Sequence, residues 1–212
     1  MRLHLMLVCL LPVAAQSPLV LENELVRVLK VSNTPGQKSR LHRHTVNRVM
    51  LHLDAGHMRL TSDTGQVRDI RFRAGEVRWD PAGGLHTSEN MGPGSYRIVE
   101  VELKKPVGAK PEWPALDPVR VAPKHYQVEF ENEQVRVSRA RFGPREGVPM
   151  HEHLLPRVVV HLTPMNMRQT LPDGSTREAR AEAGGVTWGT AAKHSEENLN
   201  SEVFEVVVVE VK

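Results

Sequence analysis

The sequence predicts an all-β protein built from two tandem copies of one small barrel or sandwich. Three observations lead to this fold class. The chain repeats itself at a nearly constant spacing, each copy consists of short β-like runs, and turns containing glycine, proline or aspartate separate those runs. No segment shows the apolar period of an amphipathic helix. Many short strands joined by such turns are typical of antiparallel barrels and sandwiches.

The repeat is long and runs through most of the chain. VLENELVRV at 20–28 returns as VEFENEQVRV at 128–137, and the two copies stay 109 residues apart as far as the tryptophan that each contains. Beyond that tryptophan the spacing is 108 residues. The matching pairs are Glu22 and Glu131, His42 and His151, Arg48 and Arg157, His52 and His161, Trp79 and Trp188, His86 and His194, and Asn90 and Asn198. A period of this length indicates a duplicated domain rather than a solenoid of small units.

The predicted strands of the first copy follow one another closely along the chain. In order they are VRVLKV, VMLHL, MRLTS, VRDIRF, GEVRWD and YRIVEVEL. Between the copies, residues 104–123 contain five prolines, which exclude a continuous helix or a central strand. The predicted organisation is therefore a first barrel over 16–105, a proline-rich linker over 106–122 and a second barrel over 123–212.

Residues 1–15 are predicted to form an export signal. Arg2 gives a positive start, residues 3–13 are mostly apolar, and Val13-Ala14-Ala15 is a suitable cleavage site. The apolar run is too short to span a bilayer as a mature helix. Two alternatives are retention of the segment as an anchor and lipid attachment at Cys9, where the preceding valine is bulkier than such sites favour. Cleavage predicts a periplasmic or secreted protein with no membrane attachment.

Composition excludes several classes of function. Cys9 is the only cysteine, so a protein cleaved after Ala15 has no disulfide, no thiolate metal ligand and no cysteine nucleophile. The formal net charge is +3, and basic and acidic residues are interleaved. No basic stripe suited to nucleic acid is present. The expected partner is a small-molecule substrate, and a homo-oligomer is allowed.

Six histidines at repeated positions are candidate metal ligands. Side chains two residues apart on a strand share a face, so each His-x-His pair can point into a barrel. A third histidine follows a small-residue turn in each copy and opens the same His-x-x-Glu-Asn pattern. The two predicted sets are His42, His44 and His86, and His151, His153 and His194. The alternative is that these histidines are hydrogen-bonded core or surface residues, but their repetition at matching positions favours metal binding.

These motifs resemble those of the cupins, and the duplication resembles a bicupin. Gly36, five residues and then His42-x-His44 fit the opening of the first cupin motif. The run GEVRWDPAGGLHTSEN at 75–90 matches every fixed position of the second motif, whereas the second copy has lost its Pro-x-Gly. The resemblance implies two tandem jelly-roll β-barrels with metal inside, held in most members by three histidines and one glutamate.

Arginine stands where the cupin glutamate is expected, at Arg48 and Arg157. One interpretation is that the guanidinium binds a substrate carboxylate beside the metal. A second is that it pairs with an acid of the barrel wall; Glu196 is on a suitable face, but its counterpart is Ser88. A third is that the intervening loop places the arginine on the surface. Each site is expected to be a three-histidine site without a protein carboxylate.

The resulting functional expectation is an exported metal-dependent oxidoreductase of the oxygenase or oxidase type. Its substrate is expected to be a small or carbohydrate-like organic molecule, with Arg48 and Arg157 as substrate-binding residues. The sequence identifies no catalytic acid or base. Ligation by three imidazoles suits copper, iron, nickel or zinc. The alternatives are a bicupin that binds metal or a small ligand without turnover, and a sugar isomerase.

We expect the exported protein to begin at Gln16, because signal peptidase cleaves after small residues and Ala15 supplies one. The intact mass of protein purified from outside the cytoplasm measures this directly. A mass that includes residues 1–15, or a lipid on Cys9, would contradict it.

Overall fold

The computed structural model describes residues 19–105 and 111–212. The predicted signal peptide and residues 106–110 of the predicted linker lie outside this part of the chain. The first copy contains β1 (Leu19–Glu22), β2 (Val26–Asn33), β3 (Arg48–His52), β4 (Gly56–Ser62), β5 (Val67–Phe72), β6 (Val77–Asp80), β7 (His86–Asn90) and β8 (Tyr96–Leu103). The helix α1 (Pro118–Val121) follows. The second copy contains β9 (Tyr126–Glu131), β10 (Val135–Phe142), β11 (Gly147–His153), β12 (Arg157–His161), β13 (Met165–Thr170), β14 (Thr176–Ala181), β15 (Val186–Gly189), β16 (Ala192–Asn198) and β17 (Phe204–Val211).

Each copy folds into two facing antiparallel sheets of the same topology. The larger sheets have the orders β1-β2-β8-β3-β6 and β9-β10-β17-β12-β15. The smaller sheets are β5-β4-β7 in the first copy and β14-β13-β16-β11 in the second. Where the second copy has β11, the first has two isolated bridges, Lys38 to Glu89 and His42 to His86. This arrangement confirms the predicted all-β fold of two jelly-roll barrels.

The larger sheets pack against each other through a shared valine core. One face of each sheet, including Val49 and Val101 in the first copy and Val137 and Val209 in the second, is fully buried in a single cluster. The other face points into its own barrel. Because these strands are covered on both faces, their sequences read as apolar runs such as VVVV instead of a clean alternation. The two barrels therefore share one hydrophobic core.

The linker ends as part of the second barrel. Pro118 begins α1 at a position where its missing N–H costs nothing, and the Asp117 side chain accepts a hydrogen bond from the Val119 N–H at 3.0 Å. Asp117 is also ion-paired at 2.7 Å with Arg136 of β10, and the guanidinium of Arg136 stacks on Trp113. Residues 113–121 thus pack on the barrel that they precede. In the described part of the chain no helix is long and apolar enough to cross a membrane.

We expect Val101→Ala to lower the free energy of unfolding by roughly 2–3 kcal/mol, since it removes buried methyl groups and leaves a cavity between the barrels. Val67→Ala is the matched control, because Val67 is 59% exposed and its truncation should change stability by less than about 0.5 kcal/mol. Denaturant unfolding of both variants makes the comparison. Equal stability of the two variants would show that the shared core is absent in solution.

Candidate metal centres

The structure brings the three histidines of the first copy together at the edge of the smaller sheet. His42 pairs with His86 through an isolated bridge whose backbone hydrogen bonds are 3.0 and 2.9 Å long. His44 lies next to both, with ring centroids 4.9 Å from His42 and 5.5 Å from His86. One nitrogen from each ring lies within 4.8 Å of the other two, which is close enough for a common metal ion.

The second copy holds the same arrangement inside a closed barrel. His151 and His153 lie on β11, and the strand register places His151 directly opposite His194 of β16. The ring centroids are 4.7–5.5 Å apart, and the three residues are 0%, 3% and 1% exposed respectively. The structure thus assembles both predicted triads, and metal binding by them stays a prediction.

The buried triad fits a metal because its ring nitrogens converge without well-formed hydrogen bonds within the described residues. Nδ1 of His194, Nε2 of His151 and Nδ1 of His153 are buried and make no hydrogen bond, and the carboxylates nearest to the last two are 3.8 and 3.6 Å away. Nε2 of His194 faces a carboxylate oxygen at 3.1 Å. Leaving such groups unpaired costs about 1–3 kcal/mol each. Burial also lowers the pKa of His151, to about 4, and of His153. Neutral imidazole is the form that binds a metal, so the donor set is suited to one.

A buried glutamate supports the histidines of the first copy from the larger sheet. Glu102 of β8 lies 4.0 Å from Nδ1 of His44 and accepts a 2.6 Å hydrogen bond from Nε of Arg27 on β2. At this distance the carboxylate makes no hydrogen bond to the ring, but its negative charge favours a cation bound by His44.

The second copy repeats this arrangement in a drier environment. Oε1 of Glu210 lies 3.6 Å from Nδ1 of His153, and Oε2 accepts a 2.6 Å hydrogen bond from Arg136. Burial alone would raise the pKa of Glu210, but His153 and Arg136 outweigh it and hold that pKa below its usual value. Sequence reasoning missed these groups. The available signal was the recurrence of arginine in both VRV segments and of glutamate near the end of both copies.

Glu196 brings a carboxylate to the second triad. Its Oε1 lies 3.1 Å from Nε2 of His194, and its Oε2 lies 3.8 Å from Nε2 of His151. Tyr126 donates to Oε2 at 2.9 Å and Gln169 to Oε1 at 3.0 Å, so the carboxylate is fixed in place. Despite its burial, contacts with the histidines hold the pKa of Glu196 well below the usual value. The expectation of a site without a protein carboxylate therefore does not hold in the second copy, and in the first copy Glu100 and Glu102 lie within 4.8 Å of a His44 nitrogen.

The first triad faces a cavity of about 1430 Å³ within the described residues. The cavity is lined by all three histidines, by apolar side chains such as Leu60 and Ile98, and by charged side chains of both signs. The first triad is partly exposed, whereas the second is sealed by Tyr126 and by the linker, whose Leu116 carbonyl accepts a 2.8 Å hydrogen bond from the Glu152 N–H.

Solved structures with the same overall fold include proteins of widely different sequence. AerE from Microcystis aeruginosa aligns over 88% of both chains with a TM-score of 0.63 and 10% identity. Oxalate decarboxylase from Bacillus subtilis aligns with 88% of this chain and 69% of its own, with a TM-score of 0.62 and 11% identity. Vicilin from hazelnut, Corylus avellana, aligns with 88% of this chain and 74% of its own, with a TM-score of 0.59 and 13% identity.

The chain has the cupin fold in two tandem copies. At these identities the similarity concerns the fold alone. The amino-acid sequence matches no protein-family model and no curated protein. The bicupin architecture thus rests on the sheet topology, the duplicated triads and the solved structures together.

Arg48 of the bicupin is buried and paired with acids. Its Nε donates to Asp80 at 2.8 Å, and its Nη1 donates to Glu100 at 2.9 Å. The same guanidinium lies against the His44 ring and, after burial, is the main cause that lowers the pKa of His44 to about 3. At 5% exposure the surface interpretation is wrong for Arg48. The geometry matches the interpretation that Arg48 pairs with acids of the barrel wall. Those acids are Asp80 and Glu100, and neither is at the position of Glu196, the acid that the sequence suggested.

Arg157 has a different environment because its acids are missing. The positions equivalent to Asp80 and Glu100 are Gly189 and Val208 in the second copy. Arg157 donates instead to the carbonyl of Thr190 at 2.6 Å, and burial lowers its pKa. It is 7% exposed, so the surface interpretation is wrong here too. Substrate binding by Arg48 and Arg157 stays a prediction, and both lie close enough to their triads to allow it.

The asparagine repeated after the third histidine of each copy has a structural role. The Asn90 side-chain amide donates to the carbonyls of Asn33 and Gly94 at 3.0 Å, and its oxygen accepts from the Gly92 N–H at 2.9 Å. Asn198 makes the equivalent bonds in the second barrel. These bonds fix the end of the strand that carries the third histidine.

We expect Arg48→Met to lower the free energy of unfolding by roughly 3–5 kcal/mol, since it leaves Glu100 buried without its partner. The double variant Arg48→Met/Glu100→Met should recover most of this loss. Arg59→Met is the control, because the Arg59–Asp69 pair is exposed and should contribute at most about 1 kcal/mol. Denaturant unfolding measures all three. Unchanged stability of Arg48→Met would rule out the wall-acid interpretation and leave the guanidinium available to a substrate.

Proposed function

We propose that this bicupin is an exported, metal-dependent oxidoreductase that acts on a small organic substrate at its first metal centre. The observation that carries the proposal is the open triad of His42, His44 and His86 at the wall of a large cavity. Three imidazole ligands leave coordination positions free, as a reactive metal requires. Glu100 and Glu102 of the larger sheet lie within 4.8 Å of a His44 nitrogen, whereas on the smaller sheet Ser88 lines the cavity and, within the described residues, brings no carboxylate to the triad.

The first centre contains what a metal-dependent reaction needs from the protein. A transition metal held there would supply Lewis acidity and, in the case of copper or iron, one-electron redox chemistry. Neutral histidines would bind it, and the Glu102 carboxylate, held by Arg27 and 4.0 Å from His44, would favour its positive charge. Apolar side chains of the cavity would cover the body of the substrate and limit access of water.

The second centre is proposed to hold a structural metal. Its histidines are fully buried, Glu196 already lies beside them, and the linker covers the barrel. These features favour tight binding over turnover. They also favour the second candidate function, a bicupin that binds metal in both barrels without catalysing a reaction.

The choice of metals and substrates to test follows from the donor set and from one fold relative. All-nitrogen ligation suits copper, iron, nickel or zinc, and export from the cytoplasm would favour copper, which heads the affinity order. The oxalate decarboxylase of similar fold is described as having Mn(II) centres. Manganese and small organic acids therefore belong in the same panel as sugars.

We expect about two transition-metal ions per chain, one in each barrel, because each barrel carries one complete triad. His42→Ala/His44→Ala should halve the metal content, and the matched pair His151→Ala/His153→Ala should halve it at the other site. Metal analysis of protein purified without a histidine tag measures this. Unchanged metal content in either double variant would show that its ligand assignment is wrong.

Activity separates the two candidate functions in the same set of proteins. Oxygen uptake with a panel of acids and sugars should be abolished by the first double variant and retained, at lower protein stability, by the second. Metal binding at both sites with no turnover of any compound would favour the non-catalytic function. Uptake that depends on the second triad alone would place the reactive centre in the other barrel.

A further inference from the structure

The two barrels differ at one position beside the third histidine. Glu196 of β16 corresponds to Ser88 of β7. The pairings of the small sheets confirm the equivalence: Gln169 opposes Glu196 in one copy, and Leu60 opposes Ser88 in the other. The chain thus contains the same sheet once with a carboxylate against the triad and once without it.

In the second copy the Glu196 carboxylate belongs to a short series of hydrogen-bonded polar side chains. Gln169 donates to Glu196 at 3.0 Å, and its own oxygen accepts a 2.8 Å hydrogen bond from Nε of Arg177 on the next strand. The register places Arg177 directly opposite Gln169. The arginine at this position is therefore linked through the amide to a negative charge next to the histidines.

The first copy keeps the arginine but lacks the glutamine and the glutamate of this hydrogen-bonded series. Arg68 is the counterpart of Arg177 and lies directly opposite Leu60. Strand alternation places Arg68 on the same face as Ile70 and Phe72, which pack inside the barrel. Arg68, Leu60 and Ser88 all line the cavity of the first centre. Arg68 is an exposed residue at the wall of this cavity, and among the described residues it makes no hydrogen bond and no ion pair, although its counterpart Arg177 is bonded to Gln169.

We propose that the carboxylate of a substrate takes, in the first barrel, the position that Glu196 takes in the second, with Arg68 as its counter-ion. Replacing glutamate by serine leaves a space of carboxylate size beside the triad. A guanidinium recognises a carboxylate through two parallel hydrogen bonds, which gives orientation as well as affinity. Leu60 and the neighbouring apolar lining would contact the remainder of the acid. The inference deepens the proposed function, since it names the substrate class of that centre as carboxylic acids.

Arg48 is a weaker candidate for the same task. Asp80 and Glu100 already accept its hydrogen bonds, so a substrate carboxylate would have to displace a protein carboxylate. Arg68 carries no such cost.

Binding of a simple acid to the Co²⁺-loaded full chain tests the inference. Hexanoate is the probe, hexanamide is its uncharged isostere, and the visible absorption of Co²⁺ reports a new ligand near the metal. Hexanoate should change the spectrum in a saturable way and hexanamide should not. Arg68→Met should weaken hexanoate binding about ten- to hundredfold, as expected for loss of a charge-assisted hydrogen bond. Arg177→Met removes the same charge from the other barrel and should leave hexanoate binding unchanged.

Ser88→Glu supplies the missing carboxylate from the chain itself. It should abolish the response to hexanoate and raise the Co²⁺ affinity of the first centre. Four results would overturn the inference. Hexanoate would still bind to Ser88→Glu, or it would bind equally well to Arg68→Met and to the wild type. Its binding would fall as far in Arg177→Met as in Arg68→Met, or hexanamide would give the same spectral change as hexanoate. Retention of Co²⁺ at the first centre with no response to hexanoate would overturn it and leave the metal site intact. Failure of the first triad to retain Co²⁺ would instead overturn the proposed function, and this inference with it.

Discussion

Both candidate metal centres lie against a buried glutamate that projects from the larger sheet of each barrel. Glu102 and Glu210 lie beneath His44 and His153, and each is held by an arginine of the adjacent strand. A carboxylate placed in a barrel interior is costly unless charged or hydrogen-bonding partners surround it. The arginine on one side and the histidine on the other provide those partners. The arrangement fixes where the triad can form.

The same strands must keep their other face free of charge. Neighbours of Glu102 and Glu210 in sequence, such as Val101 and Val209, point the opposite way and form the shared core of the two barrels. A slip of one residue in β8 or β17 would move the glutamates into that core and the valines into the metal centres. The energetic contrast between the two faces therefore sets the register. One alternation of valine and glutamate along β8 and β17 thus serves two purposes. It packs one barrel on the other, and it places a carboxylate next to the histidines.

Repetition made the fold and the triads predictable, whereas the surroundings of the arginines were not. Two histidines at i and i+2 and a third after a turn recur at matching positions, so local strand geometry was enough to group them. The partners of Arg48 come from β6 and β8, and their approach depends on register between strands that are far apart in sequence. Glu196 was identified as facing inward, but its contact with His194 and its support by Tyr126 depend on how the barrel closes. The packing of 113–121 on the second barrel was likewise invisible in a segment recognised only by its prolines.

The shared core also links the two centres energetically. A metal bound at the buried second triad would stabilise the folded barrel by the free energy of binding at the prevailing metal concentration. Valines of both copies form one cluster, so unfolding of the second barrel would expose the sheet that supports the first. A metal held in the sealed second centre would thus also stabilise the sheet that carries the open first centre. Glu196 brings a carboxylate of the smaller sheet to the sealed triad, whereas Ser88 leaves the open triad without one on that side, so the two copies differ in how much of a metal's coordination the smaller sheet could fill.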